Sequence, residues 1–306
     1  MSRKVPAMSA LALDGRVAIV TGAGRGLGRA YALALAAHGA AVVVNDLGGD
    51  LQGNGIDPSP AQEVVAEIEA TGGRAVVSGH DVSDWKQAAD LVAQAIDTFG
   101  ALQVLVNNAG ILRDRLFANM AEEEWDAVIR VHLKGHAAPA RHAMNYWRNE
   151  AKAGRGKAGS IVHTTSLAGL VGNFGQANYA AAKLAVVGLS RTLALEGVKY
   201  GVRSNAVSPS ARTRIETSLK PPPAGQFDVF APENVAPLIC WLAMEDCPAT
   251  GQVFQAYGNR VEVIAPSAIA VDIRTEGCWR VADLSRVLAG RLPRQPGLTD
   301  FVEELA

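Results

Sequence analysis

The stretch that decides the fold reads Val17-Ala-Ile-Val-Thr-Gly-Ala-Gly-Arg-Gly-Leu-Gly28. Its first residues are apolar and mostly β-branched, which predicts a buried strand, and the amphipathic pattern that begins at Leu27 predicts a helix. Glycines at such a junction permit a tight turn and let the backbone approach a pyrophosphate, whose charge the helix N-terminus favours. A glycine string by itself is weak evidence, so its meaning depends on what surrounds it.

The same rhythm of strand and helix continues outward from this turn. Strands are predicted at residues 17–20, 41–44, 75–78, 104–106, 160–164, 204–207 and 252–255, and helices at residues 27–38, 62–70, 85–99, 122–148 and 179–199. Continuous apolar strands that alternate with helices predict an α/β fold with a doubly wound parallel sheet of the Rossmann type. We expect a flexible N-terminal arm at residues 1–12, a single domain at 13–257, and a C-terminal extension at 258–306 that packs on the domain or on a neighbouring subunit.

Irregular segments interrupt this rhythm. Residues 47–60 are rich in Gly, Asp and Pro and are interpreted as an inserted loop. Residues 208–230 follow a strand at the carboxyl edge, where ligands bind in open α/β sheets. A mobile loop that covers the substrate is the functional interpretation of this second segment, and a plain linker is the alternative. In the tail, residues 281–288 predict an amphipathic helix.

Composition and charge exclude several classes of protein. The chain has 306 residues, of which 49% are hydrophobic and 19% charged, with a formal net charge of −1. This balance is typical of a soluble globular protein and gives no reason to expect nucleic acid or an anionic membrane as partner. No apolar run is long enough to span a bilayer and no targeting signal is recognised, so we expect a cytoplasmic protein. Cys240, Cys247 and Cys278 lack metal-ligand spacing, so we expect free thiols and no metal.

An acidic residue, Asp46, ends the second predicted strand. A carboxylate there hydrogen-bonds the ribose 2′-hydroxyl and repels a 2′-phosphate, which favours NAD over NADP. Arg25 favours the opposite choice, because a guanidinium beside the glycines can bind that phosphate. We give Asp46 more weight, since Arg25 can point into solvent. Asp46 could instead cap a loop. Asp81, which with Val82 is placed to border the adenine, could instead cap the helix that begins near Trp85.

A second constellation follows the predicted fifth strand. Tyr179-Ala-Ala-Ala-Lys183 places a phenol and an ammonium one helical turn apart on one face, and Ser166 precedes them at the end of a strand. A phenol, whose pKa is about 10 in water, is a poor base at neutral pH, and a neighbouring ammonium favours the phenolate. The arrangement suits proton transfer to or from an alcohol or ketone, although a Tyr-x-x-x-Lys pair alone is a frequent chance match.

Together these features resemble the short-chain dehydrogenase/reductase family. The glycine turn, Asn107-Asn-Ala-Gly110, Ser166, and the Tyr179 and Lys183 pair occur in the family's order and approximate spacing. The resemblance implies that Tyr179 is the general acid/base, that Lys183 lowers its pKa and holds the nicotinamide ribose, and that Ser166 hydrogen-bonds the substrate oxygen. It also implies that Asn107 braces the sheet and lines the cofactor cleft. The implied cofactor-binding residues are Gly22, Arg25, Gly26, Leu27, Gly28, Asp46, Asp81, Val82, Asn108, Ala109, Gly110, Tyr179 and Lys183.

Longer matches narrow the resemblance. Residues 42–50 read VVVNDLGGD, 106–115 read VNNAGILRDR, 130–135 read RVHLKG and 172–179 read GNFGQANY. These segments look like the (3R)-hydroxyacyl-CoA dehydrogenase unit of multifunctional β-oxidation enzymes and its free-standing bacterial relatives. The likeness implies NAD-dependent oxidation of a 3-hydroxyacyl-CoA to a 3-oxoacyl-CoA. The family also implies a homodimer or homotetramer.

Two positions depart from the family pattern. His132 stands where many members have an asparagine that relays protons through water to the lysine, although the multifunctional subgroup also looks to have histidine there. A structural histidine and a relay are equally good interpretations, so His132 is left out of the expected catalytic set. Pro209-Ser210 replaces a frequent Pro-Gly, so no nicotinamide contact is inferred from that loop.

Other activities stay open at this point. Leu167, Leu170 and Phe174 suit a fatty chain or a ring system, so a hydroxysteroid dehydrogenase is one alternative. Arg25 keeps an NADPH-linked 3-oxoacyl reductase open as a second. A remote third alternative is a non-catalytic scaffold that keeps the fold and binds the cofactor.

Overall fold

The structure is a computed structural model that describes residues 12–214, 220–223, 225–288 and 290–302. The predicted arm therefore lies outside the described residues except for residue 12. Parts of the irregular segment 208–230 and the last residues, 303–306, also lie outside them.

A single eight-stranded sheet runs through the described part of the chain, in the order β3-β2-β1-β4-β5-β6-β7-β8. The strands are β1 (Val17–Thr21), β2 (Ala41–Asn45), β3 (Arg74–Ser78), β4 (Val104–Asn107), β5 (Gly159–Thr164), β6 (Val202–Pro209), β7 (Val253–Tyr257) and β8 (Arg260–Val263). Strands β1 to β7 are parallel, and β8 pairs antiparallel with β7. The predicted doubly wound parallel sheet is confirmed. The sheet continues with β8 beyond residue 257, the predicted end of the domain.

Helices cover both faces of the sheet. Those described are α1 (Gly26–Ala37), α2 (Ser59–Ala70), α3 (Trp85–Phe99), α4 (Glu122–Ile129), α5 (Gly135–Lys152), α6 (Leu167–Val171), α7 (Ala177–Gly197), α8 (Ala236–Ala243) and α9 (Val281–Leu288). Alternate residues of β1 point to opposite faces. Ala18 and Val20 pack in a core cluster with α1, α2 and α8, and Val17 and Ile19 pack in another with α3 and α5. This burial on both faces explains why the strand reads as an uninterrupted apolar run.

The strand order reverses between β1 and β4. Strand β1 pairs with β2 on one side and with β4 on the other. Successive connections therefore leave this point in opposite directions, and a crevice opens at the carboxyl ends of the two strands. The glycine turn follows β1 directly and Asn107 ends β4, so the topology brings these two distant motifs together.

The helix predicted at residues 122–148 is not continuous. Helix α4 ends at Ile129, and a π-helical turn at Arg130–Lys134 leads into α5. Gly135 and Pro139 weaken the α-helical hydrogen-bond ladder at this point, because glycine is a poor helix former and proline has no N–H to donate. The turn carries His132, which is buried, into the interior of the protein. A π turn of this kind frequently marks a functional site.

Candidate active site

The glycine turn is packed backbone against backbone. Gly22 and Gly26 have φ angles of +63° and +53°, a region that residues with a Cβ rarely adopt. A Cβ on Gly22 would lie 2.8 Å from the Cα of Ala109, and one on Gly28 would lie 2.1 Å from the carbonyl oxygen of Gly22. Gly28 is buried beneath the turn, whereas Gly22 and Gly26 line the groove above it. Close packing thus explains the glycine at position 28, and the need to keep the groove open helps to explain those at positions 22 and 26.

The loop after β4 holds this turn in place. The Thr21 hydroxyl accepts hydrogen bonds from the backbone N–H groups of Asn108 at 2.9 Å and Ala109 at 3.1 Å. The Asn108 side chain donates in return to the carbonyl oxygens of Thr21 and Gly22, at 3.1 and 3.2 Å. Asn107 is fully buried, and its amide donates to the His136 carbonyl oxygen of α5 at 3.2 Å, but it is not among the residues that line the groove or the pocket, so the predicted lining of the cleft is not seen.

The structure brings most of the predicted cofactor-binding residues to one groove. Its lining includes Gly22, Arg25, Gly26, Leu27, Asp46, Asp81, Val82, Asn108, Ala109 and Gly110. The inserted loop also contributes Gly49, Asp50, Gly53 and Gly55 to this lining, which sequence reasoning missed. The glycine-rich composition of the loop is the only signal in the sequence that points to its backbone lining the groove.

Asp46 joins the inserted loop to the glycine turn. Its Oδ2 accepts from the backbone N–H of Gly24 at 2.8 Å, and its Oδ1 accepts from that of Gly48 at 2.6 Å. The loop-capping alternative for Asp46 is therefore realised in the structure. The carboxylate still faces the groove and keeps further lone pairs for a ribose hydroxyl.

Asp81 is not the cap of α3. Asp84 occupies that position and accepts from the backbone N–H groups of Lys86 and Gln87. The Asp81 carboxylate accepts instead from the backbone N–H and hydroxyl of Ser83, at 2.8 and 2.7 Å. The helix-cap alternative for Asp81 is therefore wrong.

Ser166, Tyr179 and Lys183 line a second pocket that adjoins the groove. Ser166 is the N-cap of α6, and its hydroxyl oxygen accepts from the Ala168 N–H at 3.2 Å. Tyr179 and Lys183 lie one turn apart on α7, with the lysine Nζ 5.6 Å from the centre of the tyrosine ring. Leu27, Asn108 and Thr213 line both cavities, so the pocket lies directly beside the groove. Thr213 was not predicted, because its loop has no periodicity.

Lys183 is buried, with only 2% of its surface exposed to solvent. Its Nζ donates to the carbonyl oxygen of Thr164 at 2.6 Å, and the Thr165 hydroxyl donates to the lysine's own carbonyl oxygen at 2.7 Å. Burial penalises the charged form and lowers the pKa of this lysine from 10.5 to about 7. The side chain is therefore positioned to gain and lose a proton near neutral pH.

His132 lies directly against the tyrosine. The two rings meet edge to face with their centres 5.1 Å apart, and the histidine Nε2 lies 2.8 Å from the carbonyl oxygen of Ile111. Burial and the charge of Lys183 lower the pKa of this imidazole well below its ordinary value, so it is neutral. A Cβ on Gly110 would lie 2.4 Å from the His132 ring, which accounts for that glycine.

Two more buried imidazoles, missed at the sequence level, extend this polar cluster. His163 Nδ1 lies 3.3 Å from the Asn107 amide and 3.4 Å from His136 Nδ1. Burial, followed by the charge of Lys183, lowers the pKa of His163 to about 3. No sequence motif marks these two positions. His163 is one residue of the buried strand β5, and His136 is one residue of α5.

The apolar end of the pocket differs from the sequence prediction. Leu167 lines it, but Phe174 is 87% exposed and lies outside the lining. Phe230 contributes from the irregular segment, and Leu298 contributes from a short 3₁₀ turn in the C-terminal extension. Leu298 and Phe301 pack against the cluster around Leu167, so this part of the extension lies on the domain.

Two negative findings apply to the described residues alone. Across these ranges, no group of three or more His, Cys, Asp or Glu side chains is arranged to hold a metal ion. No helix within them combines the length and apolar character that crossing a bilayer requires.

Fold and site together join a Rossmann-type sheet to a tyrosine–lysine pair beside a glycine-lined groove, an arrangement typical of oxidoreductases. Residues 16–221 match the family model described as short chain dehydrogenase. The chain belongs to this family, whose members act on CH–OH groups.

Relatives of known name refine this placement. The chain is 42% identical over 305 residues to the hydroxyacyl-CoA dehydrogenase ChsB1 of Mycobacterium tuberculosis, covering 95% of each. It is 48% identical over 248 residues to the peroxisomal multifunctional enzyme type 2 of Mus musculus, covering 81% of this chain but 32% of that protein. A 3-oxoacyl-[acyl-carrier-protein] reductase of Synechocystis is 40% identical over 257 residues, covering 82% of this chain and 98% of the reductase.

A solved structure shares the fold. The crystal structure of a short chain dehydrogenase from Mycobacterium avium superposes with a TM-score of 0.83 and 51% identity, covering 91% of this chain and 94% of that one.

Gly28→Ala is expected to destabilise the protein by at least about 1 kcal/mol, because the methyl group would overlap the Gly22 carbonyl oxygen. Urea denaturation measures the loss. Gly188→Ala is the matched control, since it lies on α7 with nothing within 4 Å of an added Cβ. That substitution should gain roughly 0.5–1 kcal/mol. Equal effects of the two substitutions would contradict the packing argument.

Lys183→Met should flatten the pH dependence of stability. The native lysine has a pKa of about 7 against 10.5 ordinarily, so the unfolded chain binds more protons between these values and wild-type stability rises with pH. The variant lacks that slope and should be more stable near pH 7 by roughly a few kcal/mol, with the difference vanishing above about pH 10.5.

Urea titrations at several pH values measure this difference, with the exposed Lys157→Met as control. If the stability of Lys183→Met still rose with pH as steeply as that of the wild type, the lowered pKa of Lys183 would not be the cause of the slope.

Proposed function

We propose that this protein is an NAD-dependent dehydrogenase that interconverts 3-hydroxyacyl-CoA and 3-oxoacyl-CoA thioesters. The observation that carries the proposal is the meeting of Ser166, Tyr179 and Lys183 in one pocket that lies directly beside the groove above the glycine turn. Family membership supports the alcohol–ketone chemistry, and the names of the relatives suggest the thioester.

The residues of the groove fit a nicotinamide dinucleotide. A Cβ on Gly26 would approach the Thr213 side chain to 3.2 Å, so glycine at this position leaves the gap between Thr213 and the start of α1 unfilled. The N-terminus of α1 would favour the pyrophosphate, and Asp46 would accept from the ribose hydroxyls. When bound, the nicotinamide would supply the acceptor for the hydride that leaves the carbinol carbon.

In this mechanism the protein's own residues move the proton. Tyr179, as phenolate, takes the proton of the substrate hydroxyl while the ketone forms, and returns it in the opposite direction. The ammonium of Lys183 on the same helix face favours the phenolate. Ser166 uses its hydroxyl oxygen to accept from Ala168, which leaves its O–H to donate to the substrate oxygen as charge develops there.

The preference for NAD follows from Asp46 at the end of β2. Its carboxylate is held on the groove by two backbone N–H groups and would repel a 2′-phosphate. The apolar lining by Leu167, Phe230 and Leu298 suits a fatty acyl chain. The cytoplasmic location and the homodimeric or homotetrameric state stay predictions from the sequence.

A second candidate is an NADPH-linked 3-oxoacyl reductase. The Synechocystis relative, 98% of which is covered by the match, is named a 3-oxoacyl-[acyl-carrier-protein] reductase. Arg25 on the groove offers a cation for the extra phosphate. Measuring the dissociation constants of NAD and NADP distinguishes the candidates, because the first requires tighter binding of NAD.

Tyr179→Phe should lower kcat/KM by at least about a hundredfold, because it removes the titrating hydroxyl that acts as acid and base. Initial rates of NADH formation measure this loss. NAD binding, followed by calorimetry, should stay within about threefold of wild type, since the phenyl ring keeps the volume of the side chain. Turnover within a few-fold of wild type would refute the proposed mechanism.

The proposed substrate class predicts turnover of 3-hydroxyacyl-CoA with NAD. The purified protein is given a series of (3R)-3-hydroxyacyl-CoA esters of varied chain length, and NADH is followed by absorbance. Hydroxysteroids without the thioester serve as the comparison. Turnover of a free steroid and of no acyl-CoA would disprove the thioester assignment but not the oxidoreductase class.

A further inference from the structure

Arg25 is the residue that conflicts with the proposed NAD preference. It is the N-cap of α1 and lines the groove, and its side chain is 41% exposed. A guanidinium at this position could bind a 2′-phosphate through two parallel N–H donors. The conflict with Asp46 therefore depends on what else holds the guanidinium.

The inserted loop supplies an acidic partner for Arg25. The arginine Nη2 lies 3.8 Å from Oδ2 of Asp57, whose side chain is 48% exposed. Asp57 is not free to turn away, because its Oδ1 accepts from the backbone N–H of Ser59 at 3.0 Å and from the Ser59 hydroxyl. These two Ser59 donors, together with the charge of Arg25, lower the pKa of the Asp57 carboxyl, so it is ionised at neutral pH.

The backbone of the loop is built to hold Asp57 at this place. The Asp57 N–H donates to the Leu47 carbonyl oxygen at 2.9 Å, which closes the base of the loop. A Cβ on Gly48 would lie 1.6 Å from the Asp57 carbonyl oxygen, so the two sides of the loop touch there without an intervening side chain. Gly48 also donates its N–H to Asp46, which ties the base of the loop to the end of β2.

The far side of the loop is anchored as well. The Leu51 carbonyl oxygen accepts from the Leu112 N–H at 3.1 Å, and the Gln52 carbonyl oxygen accepts from Arg113 Nε at 2.9 Å. The Gly49 carbonyl oxygen accepts from Arg214 Nη1 at 2.8 Å. Asp57 is thus presented to Arg25 by a loop that is fixed from several directions.

We propose that Asp57 is a cofactor-specificity residue, which favours NAD by pairing with Arg25 and withholding its guanidinium from a 2′-phosphate. The inference rests on the proposed function, since it concerns the dinucleotide of that reaction. Asp46 opposes the phosphate directly, whereas Asp57 acts through the arginine that would otherwise bind it.

Equilibrium binding tests this role without any turnover. Dissociation constants of NAD and NADP are measured by calorimetry at low ionic strength for the wild type, Asp57→Asn, Arg25→Gln and the double variant. Adenosine 2′,5′-bisphosphate and AMP are measured as fragments that report on the ribose end alone. Asparagine keeps an oxygen that can accept from Ser59, so the loop should be retained.

Asp57→Asn should tighten NADP and the bisphosphate by roughly two- to fivefold, the range expected for a freed exposed ion pair, and leave NAD and AMP within about twofold. The gain should vanish when Arg25 is glutamine, and it should shrink in high salt. Glu67→Gln is the matched control. Glu67 pairs with Arg29, which lies one turn after Arg25 on α1, and neither residue of this pair lines the groove.

Unchanged NADP affinity in Asp57→Asn would overturn the inference and leave the proposed function intact. The inference would also be overturned if Asp57→Asn tightened NADP binding equally in the Arg25→Gln background. The gain would then come from removal of a negative charge near the phosphate and not from release of the arginine. Failure of the wild type to bind either dinucleotide would overturn the proposed function itself and the inference with it.

Discussion

Close backbone contact between the turn after β1 and the loop after β4 is the constraint on which this site depends. Gly22 approaches Ala109 so closely that no Cβ fits between them, and Thr21 and Asn108 exchange hydrogen bonds across the contact. Both segments leave the carboxyl edge of adjacent parallel strands. The contact therefore fixes the groove at the point where the strand order reverses, and the position of α1 follows from it.

The burial of Lys183 shapes the electrostatics of the neighbouring pocket. A buried ammonium is costly, and the Thr164 carbonyl oxygen offsets only part of that cost. Burial, followed by the same charge, lowers the pKa values of His132 and His163 and keeps both imidazoles neutral. The catalytic candidates thus lie in a polar cluster that carries one titrating cation, which is a setting where a small change in proton position has a large energetic effect.

Segments outside the regular fold complete both cavities. The inserted loop before α2 forms a wall of the groove and presents Asp57 to Arg25, whereas Leu298 of the C-terminal extension reaches the apolar end of the pocket. Neither segment contributes to the parallel strands. In the proposed function, specificity for the cofactor and for the substrate would be carried by these additions at the carboxyl edge, while the sheet supplies their positions.

The sequence alone determined the parallel sheet, the glycine turn and the spacing of Tyr179 and Lys183, because these depend on local periodicity and on residues close together in the chain. It also placed Asp46 correctly at the end of β2. Only the tertiary structure decided that His163 lies beside Asn107 and that Asp57 lies beside Arg25. Those contacts join residues from different elements whose side chains carry no periodic signal, so they are set by how the loops and helices pack across the edge of the sheet.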